Sequence, residues 1–443
     1  MKKIMKLRIL ASIALILLLN GCSTDIETID TNLGELNKIY PLEVSTYKSD
    51  LGETLDIYLD YSTCVRDAVD NSSFFKALRP DLTGSQHVLH TIKGTTISPE
   101  TSTADASNLL MNNVVEVNYA NIPGALEQIV NSKNQALLIT DGEYVTSPES
   151  ERWNLPYMKE YLKKWLIGNR GVYIIIEDYF ESYNKVNCPK KRFYMLFTDD
   201  KLKDNFYTRF KNAGKLNSPD ISIFKLTSSD ARIIRADERL DSNFDYSSDT
   251  LFNSELITID NSWNDIYKYT SSMESEEEEE ETGDEDGEKS DNNILMKGLK
   301  FESLNLTRYK IKDIEIRAYN ISDVLLDSVH NKILSKPIPS GLKLDKEAFR
   351  KKGEIIILIT EELQKYLETK KENLIKIDIC IRATEVIPIP CEKFVWKAMI
   401  AKNKDNISVF ESVKQALEEP SLKPENRNSG LLYTIYLKTP EFK

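Results

Sequence analysis

Leu55-Asp-Ile-Tyr-Leu-Asp60 and Gln135-Ala-Leu-Leu-Ile-Thr140 are two short apolar runs, and a carboxylate stands at the end of each, Asp60 in the first and Asp141 just after the second. Runs of this length are typical of buried strands. Between them, Pro123-Gly-Ala-Leu-Glu-Gln-Ile-Val130 has apolar residues at helical spacing. This order of elements predicts an α/β crossover, and such folds bind ligands at the carboxyl ends of their strands.

The same alternation continues further along the chain. Additional strands are predicted at residues 172–176 and 193–197, and helices at residues 155–167 and 202–210. We therefore expect residues 51–235 to form an α/β domain with a doubly wound, mostly parallel sheet.

The pattern changes after about residue 240, where most predicted elements are strands and several alternate apolar with polar residues. These strands are 256–259, 299–306, 311–318, Glu354–Ile359, 375–381 and 431–437. Only residues 361–370 and 409–418 have helical spacing. Residues 240–443 are therefore predicted to form a β-rich, mainly antiparallel second domain.

An acidic run between Glu274 and Asp291 contains twelve Asp or Glu residues and one Lys. Because such a run repels itself and buries no apolar surface, we expect a disordered insertion over residues 271–293. Most of the formal net charge of −12 lies in this run, and the rest of the chain is close to neutral. This charge distribution gives no indication of a nucleic-acid partner.

The N-terminus has the layout of an export signal. Basic residues precede an apolar run over residues 9–19, which is too short to span a hydrocarbon core of ~30 Å. Leu19-Asn-Gly-Cys22 follows and resembles the lipobox of bacterial lipoproteins. The resemblance implies that residues 1–21 are a signal peptide that is removed, and that lipid on Cys22 anchors the mature chain to a membrane.

Residues 22–50 are polar and predict a flexible tether between the membrane and the first domain. Asp25, Glu27 and Asp30 lie close behind the lipid site, and this cluster loosely resembles the surface-export signal of some bacterial lipoproteins. We expect the protein in the bacterial cell envelope, on the outer membrane, with exposure at the cell surface as an open alternative.

Besides Cys22, the chain has four cysteines, Cys64, Cys188, Cys380 and Cys391. An exported chain permits disulfides, but spacing alone does not assign them. A bridge between Cys380 and Cys391 and unpaired buried thiols both remain open. No Cys-x-x-Cys pair occurs, so zinc or thiol-redox chemistry has little support.

Two acidic loops carry the candidate site. Asp60-Tyr-Ser-Thr-Cys64 resembles the Asp-x-Ser-x-Ser loop that follows the first strand in the von Willebrand factor type A family, and Thr140-Asp-Gly142 resembles the loop after that family's fourth strand. The resemblance implies a divalent cation, usually Mg²⁺, held here by Asp60, Ser62 and Asp141. The open position of such an ion accepts a carboxylate from a protein partner.

The chain departs from the family pattern at two points. Cys64 stands where the family has its second serine, and a thiol is a soft, poor ligand for Mg²⁺. Ala120 or Asn121 stands where the family has a ligating threonine, and of these only Asn121 offers a side-chain oxygen. The metal site is therefore predicted to be degenerate, with partner contacts at Asp60, Ser62, Asn121 and Asp141.

The sequence thus predicts a non-catalytic, protein-binding lipoprotein that acts in adhesion or complex assembly. Two alternatives remain open: a glycan-binding surface lipoprotein, which requires exposed aromatic side chains, and an envelope hydrolase with paired carboxylates. The sequence has neither a Gly-x-Ser-x-Gly motif nor a Gly-rich phosphate loop. His87 and His90 are interpreted as structural, and no cofactor other than Mg²⁺ is expected.

Overall fold

The structure is a computed structural model of the chain. It describes residues 49–62, 72–83, 87–100, 103–111, 119–147, 150–151, 155–168, 170–183, 186–227, 257–259, 267–269, 294–300, 304–321, 336–338, 341–369, 374–398, 404–427 and 430–439. The signal peptide with Cys22, most of the tether, Cys64 and the acidic insertion up to residue 293 lie outside the described residues. None of the described helices is long and apolar enough to span a membrane.

The first region contains both strands and helices. Its strands are β1 (Leu55–Asp60), β2 (His87–Lys93), β3 (Thr96–Pro99), β4 (Gln135–Thr140), β5 (Val145–Ser147), β6 (Ser150–Glu151), β7 (Gly171–Tyr183), β8 (Val186–Thr198) and β9 (Ile221–Thr227). Its helices are α1 (Ser73–Leu78), α2 (Thr103–Met111), α3 (Ile122–Asn131), α4 (Lys159–Ile167) and α5 (Phe206–Asn212). The side chains of Ser72, Asn121 and Asn205 cap α1, α3 and α5, which fixes where these helices begin.

Seven of these strands form one sheet in the order β3-β2-β1-β4-β8-β7-β9. At its centre β1 is parallel to both β2 and β4, as the strand–helix–strand pattern predicts. The remaining four pairings are antiparallel: β3 turns back along β2, β8 runs against β4, β7 forms a long hairpin with β8, and β9 returns along β7. The large α/β sheet is therefore confirmed, and the antiparallel β8-β7-β9 part is the difference from the predicted crossovers.

Helices cover both faces of this sheet. On one face α3 and α4 contribute to a core that contains Trp165 and Phe197. On the other face α1 and α5 pack with Phe75 and Tyr194. Burial on both faces explains why β1 and β4 are largely apolar and have no exposed residue.

The second region is rich in strands. They are β10 (Ile257–Ile259), β11 (Tyr267–Tyr269), β12 (Ile294–Lys300), β13 (Tyr309–Asn320), β14 (Lys336–Pro337), β15 (Leu342–Leu344), β16 (Glu354–Ile359), β17 (Leu374–Val386), β18 (Trp396–Ala398), β19 (Lys404–Asn406) and β20 (Leu431–Lys438). The helices are α6 (Lys346–Lys352), α7 (Glu361–Thr369), α8 (Cys391–Phe394) and α9 (Ser408–Glu418).

The main sheets of this region have the orders β10-β11-β20-β17-β13-β14 and β12-β16-β15. Among the described strands of this region, every pairing except β11 with β20 is antiparallel, as predicted. The predicted strand 299–306 is corrected: β12 ends at Lys300, and Asn305 forms only an isolated bridge with Lys310.

The C-terminal part of the chain shares a core with the first region. Phe394, Val409 and Leu417 are buried in the same cluster as the residues of α3 and α4. The boundary predicted at residues 235–240 lies outside the described residues. The packing nevertheless brings α8, β18 and α9 against the seven-stranded sheet.

Two cysteines of the second region are free. Cys380 is buried in β17, and Cys391 is exposed at the start of α8. Burial raises the pKa of the Cys380 thiol to about 11. The bridge between Cys380 and Cys391, one of the two possibilities left open by their spacing, is therefore not formed.

Candidate functional site

Strands β1 and β4 place the two acidic loops side by side. They are parallel neighbours, with Leu59 opposite Ile139, so both strands end at the same edge of the sheet. Asp60 is the last residue of β1, and Asp141 directly follows β4. The structure thus brings the two loops together at the carboxyl edge, where α/β folds place their ligand sites.

Asp60 is buried, and each of its carboxylate oxygens has a donor. The Thr140 hydroxyl donates to Oδ2 at 2.8 Å, and the Ser62 backbone N–H donates to Oδ1 at 3.1 Å. Only 2% of Asp60 is exposed. Burial, followed by the negative charge of Asp141, raises the pKa of Asp60 to about 7, and the hydrogen bonds from Thr140 and Ser62 oppose this rise only in part.

Asp141 forms a buried ion pair that the sequence did not predict. Its Oδ2 lies 3.4 Å from Nζ of Lys190, and its Oδ1 accepts the backbone N–H of Glu143 at 2.9 Å. Oε1 of Glu143 lies 3.2 Å from the same Nζ. The side chains of Lys190 and Asp141 are only 3% and 2% exposed, and that of Glu143 is 10% exposed. Lys190, Asp141 and Glu143 therefore form one largely buried group, called here the strand-end ion cluster.

The C-terminal region covers the strand-end ion cluster. The Trp396 ring lies over Lys190, with its centroid 4.7 Å from Nζ. Gly142 has a φ of 75° and faces α9 so closely that a Cβ there would lie 2.5 Å from Cγ2 of Val409. At the start of α4, the Met158 backbone N–H donates to the Ser412 hydroxyl of α9 at 3.2 Å. Strand β18 therefore meets Lys190 of the strand-end ion cluster, and helix α9 meets the loop after β4 and the start of α4.

Tyr157 closes the other side of the loop after β4. Its hydroxyl donates to the Gly142 carbonyl at 3.3 Å, and its ring stacks on Tyr144 with centroids 4.6 Å apart. Burial, followed by the charges of Asp141 and Asp60, raises the pKa of Tyr157 well above its usual value. Tyr157 therefore acts as a neutral hydrogen-bond donor to the loop.

Asn121 lies at the start of α3, at the carboxyl end of β2. Its side-chain oxygen accepts the Gly124 backbone N–H at 3.0 Å and so caps the helix. The Gly94 backbone pairs with this segment, because the Asn121 N–H donates to the Gly94 carbonyl at 2.8 Å. Asn121 is thus a structural cap that also borders a surface groove.

This groove has a volume of about 430 Å³ and lies between α3 and the turn that leads into β3. We call it the α3 groove. It is lined by Thr95, Ile97, Asn121, Gly124, Glu127, Gln128 and Asn131. Glu127, Gln128 and Asn131 are exposed on α3, and β3 is the last strand at this edge of the sheet. The α3 groove therefore joins a polar helix face to an open strand edge.

The residues at the strand ends do not fit a magnesium ion. Mg²⁺ requires several oxygen ligands at about 2.0–2.1 Å in near-octahedral geometry. Here Asp60 and Asp141 already accept protein donors, and the Lys190 ammonium would repel a second cation. Within the described part of the chain, no group of three or more His, Cys, Asp or Glu is arranged to hold a metal. The two departures seen in the sequence agree with this misfit.

Lys190, Glu143 and Trp396 are the site residues that the sequence did not predict. Lys190 belongs to Lys190-Lys-Arg192, three consecutive basic residues that are all buried in β8. Buried cations require partners, so the basic run just before the predicted strand 193–197 is a signal that could have indicated an ion cluster. No pattern in the sequence indicated a role for Trp396, because its contact with Lys190 depends on how the C-terminal region packs on the sheet.

Comparisons with protein families, curated proteins and solved structures find no match to this chain.

Proposed function

We propose that this chain is a lipid-anchored protein of the bacterial cell envelope, and that its first region is a non-catalytic protein-binding module. Lipid on Cys22 would attach the mature chain to the outer membrane, and residues 22–50 would hold the module away from the lipid surface. The partner is a protein that the module recognises at the α3 groove.

The finer fold assignment, a von Willebrand factor type A-like domain, is part of this proposal. An Asp-x-Ser loop follows the first strand of the sheet, and Thr140-Asp-Gly142 follows the fourth. These strands are adjacent and parallel, which is what the shared site of that family requires. The family's metal-dependent contact is not proposed, because the strand-end residues do not fit the ion.

The open edge of β3 is the observation that carries the proposed binding mode. The Glu100 N–H donates to the Leu89 carbonyl at 2.7 Å, and hydrogen-bonded pairs alternate along an antiparallel ladder. Ile97 is opposite Ile92 in a non-bonded pair, so its backbone N–H and C=O point away from β2. An extended peptide can add to this edge and place its side chains in the α3 groove.

The lining of the α3 groove indicates the chemistry of the peptide. Glu127 supplies a negative charge, while Gln128 and Asn131 supply amide donors and acceptors. Ile97 supplies the apolar part of the lining, and its side chain is half-buried against the core. We infer a polar segment with one basic and one small apolar side chain as the preferred ligand.

The hydrolase alternative has less support from the geometry. Asp60 and Asp141 are adjacent, and Asp60 has a raised pKa, as an acid–base pair requires. However, both residues are only 2% exposed, Asp141 is paired with Lys190, and neither residue lines the α3 groove. A substrate would have to displace the C-terminal cover to reach them.

The glycan alternative rests on the amide side chains of the α3 groove, which suit sugar hydroxyls. Its usual aromatic platform is not present there, since the described residues that line the α3 groove include no aromatic side chain. Of the described tryptophans, Trp165 and Trp396 are both buried. The remaining two, Trp153 and Trp263, lie outside the described residues.

The test places a photo-crosslinking amino acid at Gln128 of the full-length, anchored protein. A discrete protein adduct is expected at Gln128 and not at Lys211, an exposed control position on α5 at the opposite face of the sheet. Adducts of equal yield at both positions, or an adduct at neither, would contradict recognition at the α3 groove.

A matched pair of variants at Ile97 tests the strand-addition mode. Ile97→Pro removes the outward backbone N–H, and Ile97→Ala removes the same packing but keeps that donor. One backbone hydrogen bond is worth about 1–1.5 kcal/mol, so the adduct yield at Gln128 should fall about tenfold with Pro and much less with Ala. Equal losses in the two variants would rule out strand addition.

A further inference from the structure

The strand-end ion cluster is neutralised by the protein's own side chains. Lys190 places its ammonium within 3.4 Å of Asp141 and 3.2 Å of Glu143, and almost none of its side chain is exposed. A buried ammonium is stable only when carboxylates or other acceptors surround it. Asp141, which the family resemblance assigns to a divalent cation, here binds an internal cation instead.

The same edge of the sheet is closed by residues 391–398 and 404–418 of the C-terminal region. Trp396 stacks on the Lys190 ammonium, Val409 packs on Gly142, and Phe394 lies 5.2 Å from Phe224 in a T-shaped pair. Phe394 and Val409 are almost completely buried. The face that carries a partner's carboxylate in the resembled family is therefore occupied by this chain.

We infer that Lys190 permanently replaces the metal ion of the strand-end site, and that the site so closed binds residues 391–398 and 404–418 of the same chain and no external partner. The cation–π contact to Trp396 and the ion pairs to Asp141 and Glu143 then serve one purpose, which is to fix these residues on the sheet. This role of Lys190 is independent of recognition at the α3 groove.

The test is replacement of Lys190 by Met in the full mature chain. Met is one atom shorter than Lys and keeps an apolar contact with the Trp396 ring, but it has no charge, so the cation–π contact is lost and two carboxylates are left without their cation. The thermal midpoint should fall by about 5 °C or more, and protease cleavage within residues 391–398 and 404–418 should become faster. Millimolar Mn²⁺ or Mg²⁺ should restore at least about half of the lost midpoint, because the uncompensated carboxylates can then bind it.

The matched control is Lys191→Met, the next residue of the same strand, whose ammonium pairs with Asp178. This variant should show no rescue by divalent cations. The wild-type protein should be unchanged by Mg²⁺, Mn²⁺ or a chelator, both in its midpoint and in calorimetric titration. Stoichiometric Mg²⁺ binding by the wild type, or a chelator-induced fall of its midpoint, would overturn the inference.

A second variant covers the case in which Lys190→Met does not fold. Lys190→Met combined with Asp141→Asn and Glu143→Gln removes the cation and both negative charges together. If Lys190 acts by neutralising these carboxylates, this triple variant should fold, residues 391–398 and 404–418 should be protected from protease, and divalent cations should not change its thermal midpoint. Failure of the triple variant to fold, or divalent-cation rescue that persists in it, would contradict the assigned role.

Discussion

At the scale of single residues, Asp60 shows how burial and charge compete. The carboxyl group receives hydrogen bonds from Thr140 and Ser62, which favour its ionised form. Burial and the neighbouring charge of Asp141 favour the protonated form, and they are stronger, so the pKa rises to about 7. Near neutral pH, Asp60 therefore changes charge inside the fold.

This shift predicts a pH dependence of stability. Between about pH 4 and pH 7 the folded protein keeps a proton on Asp60 that the unfolded chain loses, because the usual pKa is 3.8. The contribution of Asp60 to the free energy of unfolding therefore decreases as the pH rises through this window. Asp60→Asn removes this dependence. The free energy of unfolding of this variant, relative to that of the wild type, should therefore increase as the pH rises from about 4 and should level off above about pH 7.

Urea unfolding of both proteins between about pH 5 and pH 8 measures this difference. Asp220→Asn, at an exposed carboxylate, serves as the control and should follow the wild-type profile. A constant difference between Asp60→Asn and the wild type across the range would mean that Asp60 does not titrate in the folded state.

At the scale of elements, the turn after β4 determines how α9 packs. Gly142 has a positive φ that other residues adopt only with strain, and it leaves just enough room for Val409. Tyr309 fixes the other end of α9, since its hydroxyl donates to the Leu417 carbonyl at 3.0 Å. One helix is thus held by the strand-end loop and by β13.

We predict that Gly142→Ala lowers the free energy of unfolding by more than about 1 kcal/mol, because it adds both backbone strain and a clash with Val409. Val409→Ala removes the clashing methyl groups, so the double variant should lose less than the sum of the two single variants. A double-mutant cycle by urea unfolding should give a coupling of about 0.5–3 kcal/mol. Additive losses would mean that Gly142 and α9 do not touch.

The strands with clear local signals are those that are best predicted from sequence. The bounds of β1, β4 and β16 agree with the apolar runs, because strands covered by a core need apolar residues along most of their length. By contrast, β7 and β8 extend to Tyr183 and from Val186, well beyond the predicted 172–176 and 193–197. These extensions depend on cross-strand pairing, which local hydropathy does not contain.

The candidate site was predictable only in part, for the same reason. Asp60 and Asp141 lie at the same edge of the sheet because β1 and β4 are parallel neighbours. The strand–helix–strand pattern of the sequence predicted this arrangement. Lys190 enters from β8, whose antiparallel position beside β4 is set by tertiary pairing. The closure by residues 391–398 and 404–418 depends on contacts between segments far apart in the chain, so no local pattern indicates that these carboxylates are buried.

At the scale of the whole molecule, the proposed lipid anchor carries a module with one closed face and one open groove. The closed face is the strand-end edge around Asp60 and Asp141, where the C-terminal region packs on the sheet and shares its core. The α3 groove lies beside an open strand edge. In the proposed function, the anchor sets where the module acts and the α3 groove sets what it binds.

The anchor gives a prediction for the intact cell. Cys22→Ser removes the only proposed lipid site, so the protein should move from the membrane fraction to the soluble fraction and should no longer incorporate labelled palmitate. Asn20→Ala, two residues earlier in the same segment, is the matched control and should keep both properties. Membrane retention and labelling of Cys22→Ser would mean that another feature anchors the chain.

Hydrogen exchange of the anchored protein, alone and in its cross-linked complex, tests most directly whether recognition occurs at the open edge of β3 beside α3. The Ile97 amide, which points away from β2, should exchange rapidly in the free protein and at least about tenfold more slowly in the complex. Residues 60–62 and 141–143 should be equally protected in both states. Unchanged exchange at Ile97, with new protection at residues 60–62 and 141–143, would contradict recognition at the α3 groove. It would indicate that the partner binds at the strand ends around Asp60 and Asp141.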